Sequence, residues 1–272
     1  MILYITDAAS LLTTAYNHKS LIFELLKRDF KSRYLDSFFG LAWAFITPLI
    51  MLAMYSLVFG FGLRGTRNGM PADNGEYVLM LFSGLIIYFA TSECITKSVR
   101  VILINKNLVK KVIFPVEILP VIICFSSLLH LFISLNIVLI AYVILVGLPP
   151  IEILYLPLLM IICLPMFLSL SWLIAALGTI SRDIEQIIGL LARGMLFISP
   201  VLYQFDTPPK VLSVLITINP ISLLVEQMRV IFFSHSAPDF SALLIYFVIS
   251  SIFSCLAYLF FMFMRKHFAD LI

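Results

Sequence analysis

Polar and aromatic side chains that could bind a sugar recur along one side of a predicted helix around Arg193. The set consists of Gln186, Arg193, Phe197, Pro200 and Gln204. A helix brings residues three, four and seven positions apart onto one face, and an arginine inside an apolar run marks a cavity or an ion pair by default. A stripe that mixes amide, guanidinium and ring groups is typical of a wet pore for sugar. Further rings, in Trp43, Tyr55, Phe59, Tyr88 and Phe89, either stack on sugar or pack in the core.

Glu93 and His130 are the other ionisable residues inside long apolar runs. Each is costly in lipid, so each is expected to be paired or to face a cavity. Glu93 is predicted to cap its helix or to pair with Lys97, four residues later. For His130 the sequence favours a hydrogen-bonded buried histidine over a proton relay.

A row of basic residues lies on one side of the amphipathic stretch from Leu21 to Tyr34. Lys27, Arg28 and Lys31 share that side with Glu24, while an apolar row follows at i+4 spacing on the other side. This pattern predicts a helix in the membrane interface, with its bases toward headgroups and water. The bases either anchor the chain or capture an anionic headgroup such as a diphosphate, and the sequence leaves both roles open.

A short capped helix is predicted between Asn105 and Pro115. Asn105 or Asn107 can cap its start, and Pro115 ends it at Phe114. Its apolar side consists of Leu108, Val109, Val112 and Ile113, and Lys106 and Lys110 lie on another side. Either the membrane surface or a pocket on a soluble partner would cover the apolar side.

Motifs of several enzyme classes are missing from the sequence. It has no GxxxxGKS/T loop to cradle the phosphates of ATP, no HExxH, no GxSxG and no clustered carboxylates. Any energy source is therefore predicted to lie on another polypeptide, and no cofactor is expected on this chain. Four cysteines lack metal-ligand spacing and are interpreted as buried free thiols: Cys94, Cys124, Cys163 and Cys255.

The composition is that of a membrane protein. Apolar residues make up 62% of the 272 residues, against about 45–50% in an average globular domain. Charged residues make up 12%, about half the usual ~25%. A soluble fold could not hide so much apolar surface, which disfavours soluble enzymes, nucleic-acid binders and secreted disulfide domains. The net charge of only +3 likewise predicts no nucleic-acid partner.

Six apolar stretches are long enough to cross a bilayer, which takes about 20 residues. They are Ser37 to Leu63, Tyr77 to Thr96, Ile118 to Ile151, Ile153 to Ser181, Asp183 to Phe205 and Phe240 to Met264. Most of the 18 Lys and Arg residues lie on one side of this arrangement, so both termini are predicted to be cytoplasmic. The predicted fold is all-α and integral to the membrane, as one domain over residues 1–272. It comprises an interface region (1–36), six spans (37–264) and a tail (265–272).

The region from Thr207 to Asp239 is too apolar for an ordinary loop. It divides at Asn219-Pro220 into two pieces that are each too short to cross the membrane. Asn219 is a natural N-cap and Pro220 a natural first helical residue. A re-entrant helix pair on the periplasmic side is therefore predicted between spans five and six. It either lines the pore or packs in the outer leaflet.

Several strings of residues, taken in order, resemble the type-2 ABC exporter permeases for polysaccharides. They are Lys27-Arg-Asp-Phe-Lys-Ser-Arg-Tyr34, Gly40-Leu-Ala-Trp43 with Pro48, Asn107-Leu-Val-Lys-Lys-Val-Ile-Phe-Pro115, Glu117-Ile-Leu-Pro120, Ser181-Arg-Asp183, Ile198-Ser-Pro-Val-Leu-Tyr203, and Asn219-Pro220 with Glu226 and Arg229. The most similar members are O-antigen export permeases, and capsule and teichoic-acid export permeases are close relatives. One departure is Phe39-Gly40, where the family usually has Leu-Gly.

The resemblance implies the membrane half of an ATP-driven exporter in the bacterial inner membrane. Two copies of the permease would pair with two copies of a separate ABC ATPase, which carries ATP and Mg. The substrate would be a glycan linked to undecaprenyl diphosphate. The resemblance also implies a coupling helix after span two and gate helices between spans five and six.

Pattern and resemblance together assign residues to four roles. Substrate access is assigned to Lys27, Arg28, Lys31, Arg33, Tyr34 and Gly40. The pore lining is assigned to Trp43, Tyr55, Phe59, Arg193, Phe197 and Gln204, and the periplasmic gate to Tyr203, Asn219 and Pro220. Coupling to the ATPase is assigned to Asn107, Leu108, Lys110, Lys111, Val112, Phe114, Arg182 and Asp183.

Two other functions are alternatives to export by an ABC transporter. A membrane-embedded glycolipid enzyme would need paired acid and base groups in one cavity, and the sequence does not indicate such a pair. A proton-coupled flippase would need more spans or a functional pair of Glu93 and His130.

Overall fold

The computed structural model describes residues 18–32, 38–58, 66–67, 70–71, 74–110, 114–181, 183–201 and 210–268. Its helices, in chain order, are α1 (Lys19–Ser32), α2 (Trp43–Tyr55), α3 (Asn74–Ile104), α4 (Lys106–Val109), α5 (Ile118–Leu145), α6 (Leu156–Leu177), α7 (Asp183–Ile198), α8 (Lys210–Ile218), α9 (Ser222–Arg229) and α10 (Phe240–Arg265). Short 3-10 turns precede α2 (Gly40–Ala42) and α6 (Ile151–Tyr155), and a π-helical turn (Val230–Ser234) follows α9. A two-residue strand β1 (Thr66–Arg67) pairs antiparallel with β2 (Met70–Pro71).

Five helical stretches among the described residues are long and apolar enough to cross a membrane. They are Gly40–Val58, Gly75–Ile104, Ile118–Leu145, Ile151–Leu177 and Phe240–Arg265. The chain is therefore a multi-pass helical membrane protein, as its composition predicts. The predicted fifth span is helical only over the 16 residues of α7, and residues 202–209 lie outside the described part of the chain. A count of six spans stays a prediction.

Helix α3 is longer than the sequence indicated. Span two was predicted to end at Thr96, before the first basic residue, but the helix continues to Ile104. Within this continuation Lys97 pairs with Glu93 one turn earlier, with 2.6 Å between Nζ and Oε1. Asn105 then follows the helix, and its side-chain amide donates to the Val101 carbonyl (2.8 Å). Charge limits where a helix can lie in lipid, but it does not end the helix itself.

Helix α3 forms the centre of the bundle and packs against α5, α6, α7 and α9. Leu79, Phe82, Leu85 and Ile87 on α3 have no exposed surface at all. A helix that is apolar all round must be covered on all sides. The neighbouring helices of the same chain supply this cover for α3.

The closest approach in the bundle lies between α3 and the end of α6. A Cβ atom built on Gly178 would lie 2.0 Å from the carbonyl oxygen of Val99. No side chain fits at that distance, so glycine is required there for steric reasons. The contact fixes the C-terminal half of α3 against the end of α6.

The start of α5 is tied to α6 and α10 by polar contacts. The indole Nε1 of Trp172 donates to the Glu117 carbonyl at 3.2 Å, and Arg265 pairs with the Glu117 carboxylate at 2.9 Å. Trp172 also packs edge-on against Tyr258 of α10, with ring centroids 5.2 Å apart. These contacts make α5, α6 and α10 one unit at this end of the bundle.

The amphipathic segment before the first span is helical, as predicted, over Lys19–Ser32. Its apolar side packs on α5, where Leu25 is buried and the Ser126 hydroxyl donates to Asp29 at 2.8 Å. Its location in a membrane interface stays a prediction.

Two short helices, α8 and α9, occupy the region between α7 and α10, as predicted. The second begins at Ser222 rather than at Pro220, so the predicted N-cap at Asn219 is wrong. The Asn219 side chain accepts from the Ile221 amide (3.2 Å), and this Asx turn replaces the first helical turn. The re-entrant path of the pair stays a prediction.

Candidate functional site

A cavity of about 250 Å³ lies between α2, α3 and α5. Its lining is mostly apolar and aromatic, with Glu93 and His130 at one end. The walls are formed by Trp43, Ala44, Thr47, Pro48 and Met51 of α2, Phe82, Ile86, Phe89, Ala90 and Glu93 of α3, and His130, Leu131 and Ser134 of α5. Two of the rings assigned to sugar contact, Trp43 and Phe89, thus face the same space.

Glu93 lies between two bases at the polar end of the cavity. Its Oε1 is 2.6 Å from Lys97 Nζ, and its Oε2 is 2.7 Å from His130 Nδ1. The His130 ring also meets Phe30 of α1 edge-on, with centroids 5.7 Å apart. The predicted pairing of Glu93 with Lys97 and the predicted hydrogen-bonded His130 are both confirmed. One carboxylate serves both bases, which spacing could not indicate because Glu93 and His130 are 37 residues apart.

Helix α7 presents the predicted polar and aromatic stripe away from the bundle. Gln186 and Arg193 are exposed, and Phe197 is 69% exposed. The opposite side of the helix is buried, since Ile188 and Ala192 pack against α3 and α6. The described part of the stripe therefore lies on the side of α7 opposite its packing against α3 and α6, and its role as a pore lining stays a prediction.

The corner at Asn219 and Pro220 is anchored to two other elements. Asn219 Nδ2 donates to Ser199 Oγ at 2.7 Å, just after the end of α7. The Tyr246 hydroxyl of α10 donates to the Pro220 carbonyl at 2.7 Å. These bonds link the corner to the end of α7 and to α10, and its role as a gate stays a prediction.

Arg229 connects α9 to the same end of α7. Its guanidinium donates to the Val201 carbonyl at 2.7 Å. Burial lowers the pKa of Arg229 to about 10, so the group still carries its charge at neutral pH. A Cβ built on Gly84 of α3 would lie 3.0 Å from Val225 Cγ1, so the glycine lets α9 pack closely on α3.

The predicted coupling helix is shorter than expected. It covers four residues, Lys106–Val109, and the sequence prediction that it extends to Phe114 is wrong for Lys110 and Phe114, which follow the helix. Asn107 and Lys110 are exposed, whereas Leu108 and Phe114 pack partly against the protein's own core. The protein itself therefore covers part of the apolar side of α4. The polar residues Asn107 and Lys110 form the more exposed surface.

An ion pair joins the C-terminal end of α3 to the start of α7. Arg100 Nε lies 2.7 Å from Glu185 Oε2. Asp183 begins α7, and its backbone amide donates to the Ser181 hydroxyl (3.1 Å). This ion pair directly links α3, which leads into α4, to α7. The assigned coupling residue Asp183 lies two residues before Glu185, within one helical turn of that link.

The assigned access residues form an exposed basic side of α1. Lys27, Arg28 and Lys31 are all exposed there. Gly40 has a φ of +52°, a conformation that favours glycine. The positive φ explains why a glycine occupies this position before Trp43, and it lets the chain turn sharply into α2. Tyr55 lies half-buried near the other end of α2.

Eight of the assigned residues lie outside the described residues. They are Arg33, Tyr34, Phe59, Lys111, Val112, Arg182, Tyr203 and Gln204. Their assignments stay predictions.

The cysteine interpretation needs one correction. Cys94, Cys124 and Cys163 are buried free thiols, as predicted, but Cys255 is exposed on α10. It lies on a side of α10 that no other described helix covers, where an apolar sequence run does not imply burial. Within the described stretches from 18 to 268, no group of three His, Cys, Asp or Glu side chains is placed to hold a metal ion.

The helices define a multi-pass membrane protein. Inside its bundle, Glu93 is paired with Lys97 and His130 at a cavity. Transport permeases belong to this class of protein. Residues 20–233 match the family model described as ABC-2 type transporter, and the chain belongs to that family. Family membership assigns it to transport subunits that work with an ABC ATPase rather than to enzymes.

Curated relatives cover most of this chain. A protein from Myxococcus xanthus named "O-antigen export system permease protein RfbA" is 27% identical over 226 residues, which span 82% of this chain and 84% of the relative. Two Klebsiella pneumoniae proteins of the same name are 26% and 24% identical, each over 78% of this chain and 81% of the relative.

Proposed function

We propose that this protein is the membrane-spanning subunit of an ATP-driven exporter of lipid-linked polysaccharide. Its substrate would be an O-antigen glycan on undecaprenyl diphosphate, moved from the cytoplasmic to the periplasmic side of the bacterial inner membrane. The observation that carries the proposal is the similarity to O-antigen export permeases over about four-fifths of both chains. Capsule and teichoic-acid glycans are alternative cargoes of the same mechanism.

A complete exporter in this proposal contains two copies of this chain and two copies of an ABC ATPase. ATP and Mg would bind to the ATPase, since this sequence has no phosphate-cradling loop. Both termini of the permease would be cytoplasmic. The exposed basic side of α1, with Lys27, Arg28 and Lys31, would receive the diphosphate at the inner surface.

The glycan path is proposed to run between the two copies. Supporting this path, α2 has an exposed apolar side and α7 an exposed side that carries Gln186, Arg193 and Phe197. A guanidinium and an amide hydrogen-bond sugar hydroxyls, and a ring stacks on the apolar face of a sugar. The corner at Asn219 and Pro220 would open and close the periplasmic end together with the end of α7.

Coupling to the ATPase is proposed to occur at α4 and the start of α7. Asn107 and Lys110 present the exposed contact surface. The pair of Arg100 with Glu185 would carry a displacement of α3 to α7. Glu93 and His130 form an acid and base pair at one cavity, which a glycolipid enzyme would need, but the family match and the similarity to export permeases favour transport.

Reconstitution tests the proposal. The permease and the ABC ATPase encoded beside it are placed in liposomes with undecaprenyl-diphosphate glycan, and glycan reaching the far side is measured with a lectin. We expect transfer that requires ATP and both proteins. Transfer without ATP, or chemical alteration of the glycolipid by the permease alone, would overturn the proposal.

The coupling surface has its own test. Lys110→Glu reverses an exposed charge on the proposed contact and should abolish copurification of the ATPase, because a like charge or an unpaired charge at an interface is costly. Glu152→Lys is the matched control, since Glu152 lies at the opposite end of α5 from α4. Equal copurification of the ATPase with both variants would contradict the assignment.

A further inference from the structure

The cavity between α2, α3 and α5 is polarised along the direction of its helices. Glu93 and His130 lie at one end, and Phe82 and Met51 lie toward the other. Phe82 precedes Glu93 on α3 by about three helical turns, and Met51 follows Trp43 on α2 by about two. The polar end points toward the ends of α3 and α5 that flank α4. It therefore faces the predicted cytoplasmic surface, while the apolar end faces the middle of the bilayer.

Basic groups surround the polar end. The Lys97 side chain is 37% exposed, and its ammonium is held 2.6 Å from Glu93. His130 is held by the other oxygen of the same carboxylate. A second cavity of about 160 Å³ lies between α1 and the ends of α3 and α5 that flank α4, and its polar lining consists of Arg28, Asp29, Ser32 and Asn105. Ammonium, guanidinium and imidazole groups of this kind bind phosphate oxygens.

The volume limits what the cavity can hold. At about 250 Å³ it is smaller than the roughly 300–1,000 Å³ of pockets that enclose a drug-sized molecule. It therefore accepts one part of a single chain rather than a two-chain lipid. Its aromatic and aliphatic walls, Trp43, Phe89 and Leu131 among them, suit a methyl-branched hydrocarbon.

We propose that this cavity binds the first isoprene units of a polyprenyl diphosphate lipid, with the diphosphate at Lys97 and His130. Glu93 is a positioning residue in this proposal, because it holds both bases at the mouth and turns its own oxygens toward them. The inference rests on the proposed function, in which such a lipid carries the glycan. It adds a lipid site inside the bundle to the basic access surface on α1.

Photo-crosslinking tests the site. The purified permease in nanodiscs is exposed to a polyprenyl diphosphate with a diazirine in its first isoprene units, or to phosphatidylglycerol with a diazirine in an acyl chain. Ser134→Phe fills the cavity from α5, and Thr47→Phe fills it from α2 if the first variant fails to fold. Ile140→Phe is the matched control, since Ile140 lies on the same helix and is 61% exposed.

We expect the polyprenyl probe to label peptides of α2 and α3 that line the cavity. Labelling should fall about tenfold in the filled variant, which corresponds to about 1.4 kcal/mol, and it should not change in Ile140→Phe. Lys97→Gln should lower labelling by the polyprenyl probe alone. Unchanged labelling in the filled variant, or equal labelling of the cavity by phosphatidylglycerol, would overturn the site.

The same experiment separates the site from the proposed function. Saturable polyprenyl labelling elsewhere on the protein, together with normal glycan export by Ser134→Phe, would overturn the cavity alone. The absence of both saturable polyprenyl labelling and export in the unmodified protein would overturn the proposed function as well.

Discussion

Helices α2 and α3 are similarly apolar, yet the protein buries them to opposite degrees. In the most apolar window of the second stretch, Gly75–Ile104, 83% of residues are buried, against 11% in the first stretch, Gly40–Val58. Hydropathy indicates that both helices leave water, but it does not indicate what covers them. Helix α3 is covered by its own chain, whereas α2 must be covered by lipid, by substrate or by a second copy of the protein.

The difference separates a structural role from a transport role. Residues on α3 face four neighbouring helices, so the size of each side chain matters for stability. Large side chains on α2, such as Phe45, Leu49 and Met54, are about half exposed. Substitutions there should affect contacts outside the chain and leave the fold of the chain intact.

Truncation of one leucine on each helix should show the largest difference. Leu85→Ala on α3 removes a side chain with no exposed surface and should cost about 2–5 kcal/mol of stability. Leu49→Ala on α2, which is 50% exposed, should change the stability of the isolated permease little. The thermal unfolding midpoint in detergent measures both effects. A larger loss of stability in Leu49→Ala than in Leu85→Ala would contradict the difference between the two helices.

The close contact of α6 with α3 gives the next largest effect. Gly178→Ala places a methyl group against the Val99 carbonyl and should cost about 1–3 kcal/mol by overpacking. Gly189→Ala on α7 is the control, because a Cβ there meets no atom within 4 Å. If both variants unfold at the same temperature, α3 is not held as tightly as the contact indicates.

The ion pair of Arg100 with Glu185 should give the smallest effect on stability. Its side chains are 58% and 39% exposed, and pairs of this kind contribute about 0.2–1 kcal/mol. Arg100→Gln and Glu185→Gln should nevertheless lower glycan transfer per ATP hydrolysed, because the pair links α3 to α7. Transport by the double variant should equal that of either single variant. Additive losses would show that the two residues act separately.

The sequence predicted the helices well where the pattern was long and local. The amphipathic segment, five of the six predicted spans and the two short helices around Asn219 are helical where expected, since apolar length and Pro or Gly signals act within one segment. It failed to predict the continuation of α3 past Lys97 to Ile104, because apolar length indicates the part of a helix that lies in lipid and not where the helix ends.

The candidate site was less predictable, since its key contacts join distant segments. Glu93 with Lys97 could be found from i+4 spacing, whereas His130 and Phe30 reach the same place only through the packing of α1 and α5 on α3. The pair of Arg100 with Glu185 carries no sequence signal at all. The part of the stripe formed by Gln186, Arg193 and Phe197 could be predicted, because α7 supplies all three residues.

The central claim is that the exposed sides of α2 and α7 line the glycan path between two copies. It is tested most directly by thiol labelling of Phe197→Cys in a protein with Cys255→Ser, because the other three cysteines are buried. A water-soluble maleimide should label position 197 in the assembled exporter, and trapped lipid-linked glycan should block labelling. Ile188→Cys, on the buried side of the same helix, should stay unlabelled throughout. Labelling at 188 but not at 197, or labelling at 197 that trapped glycan leaves unchanged, would contradict the claim.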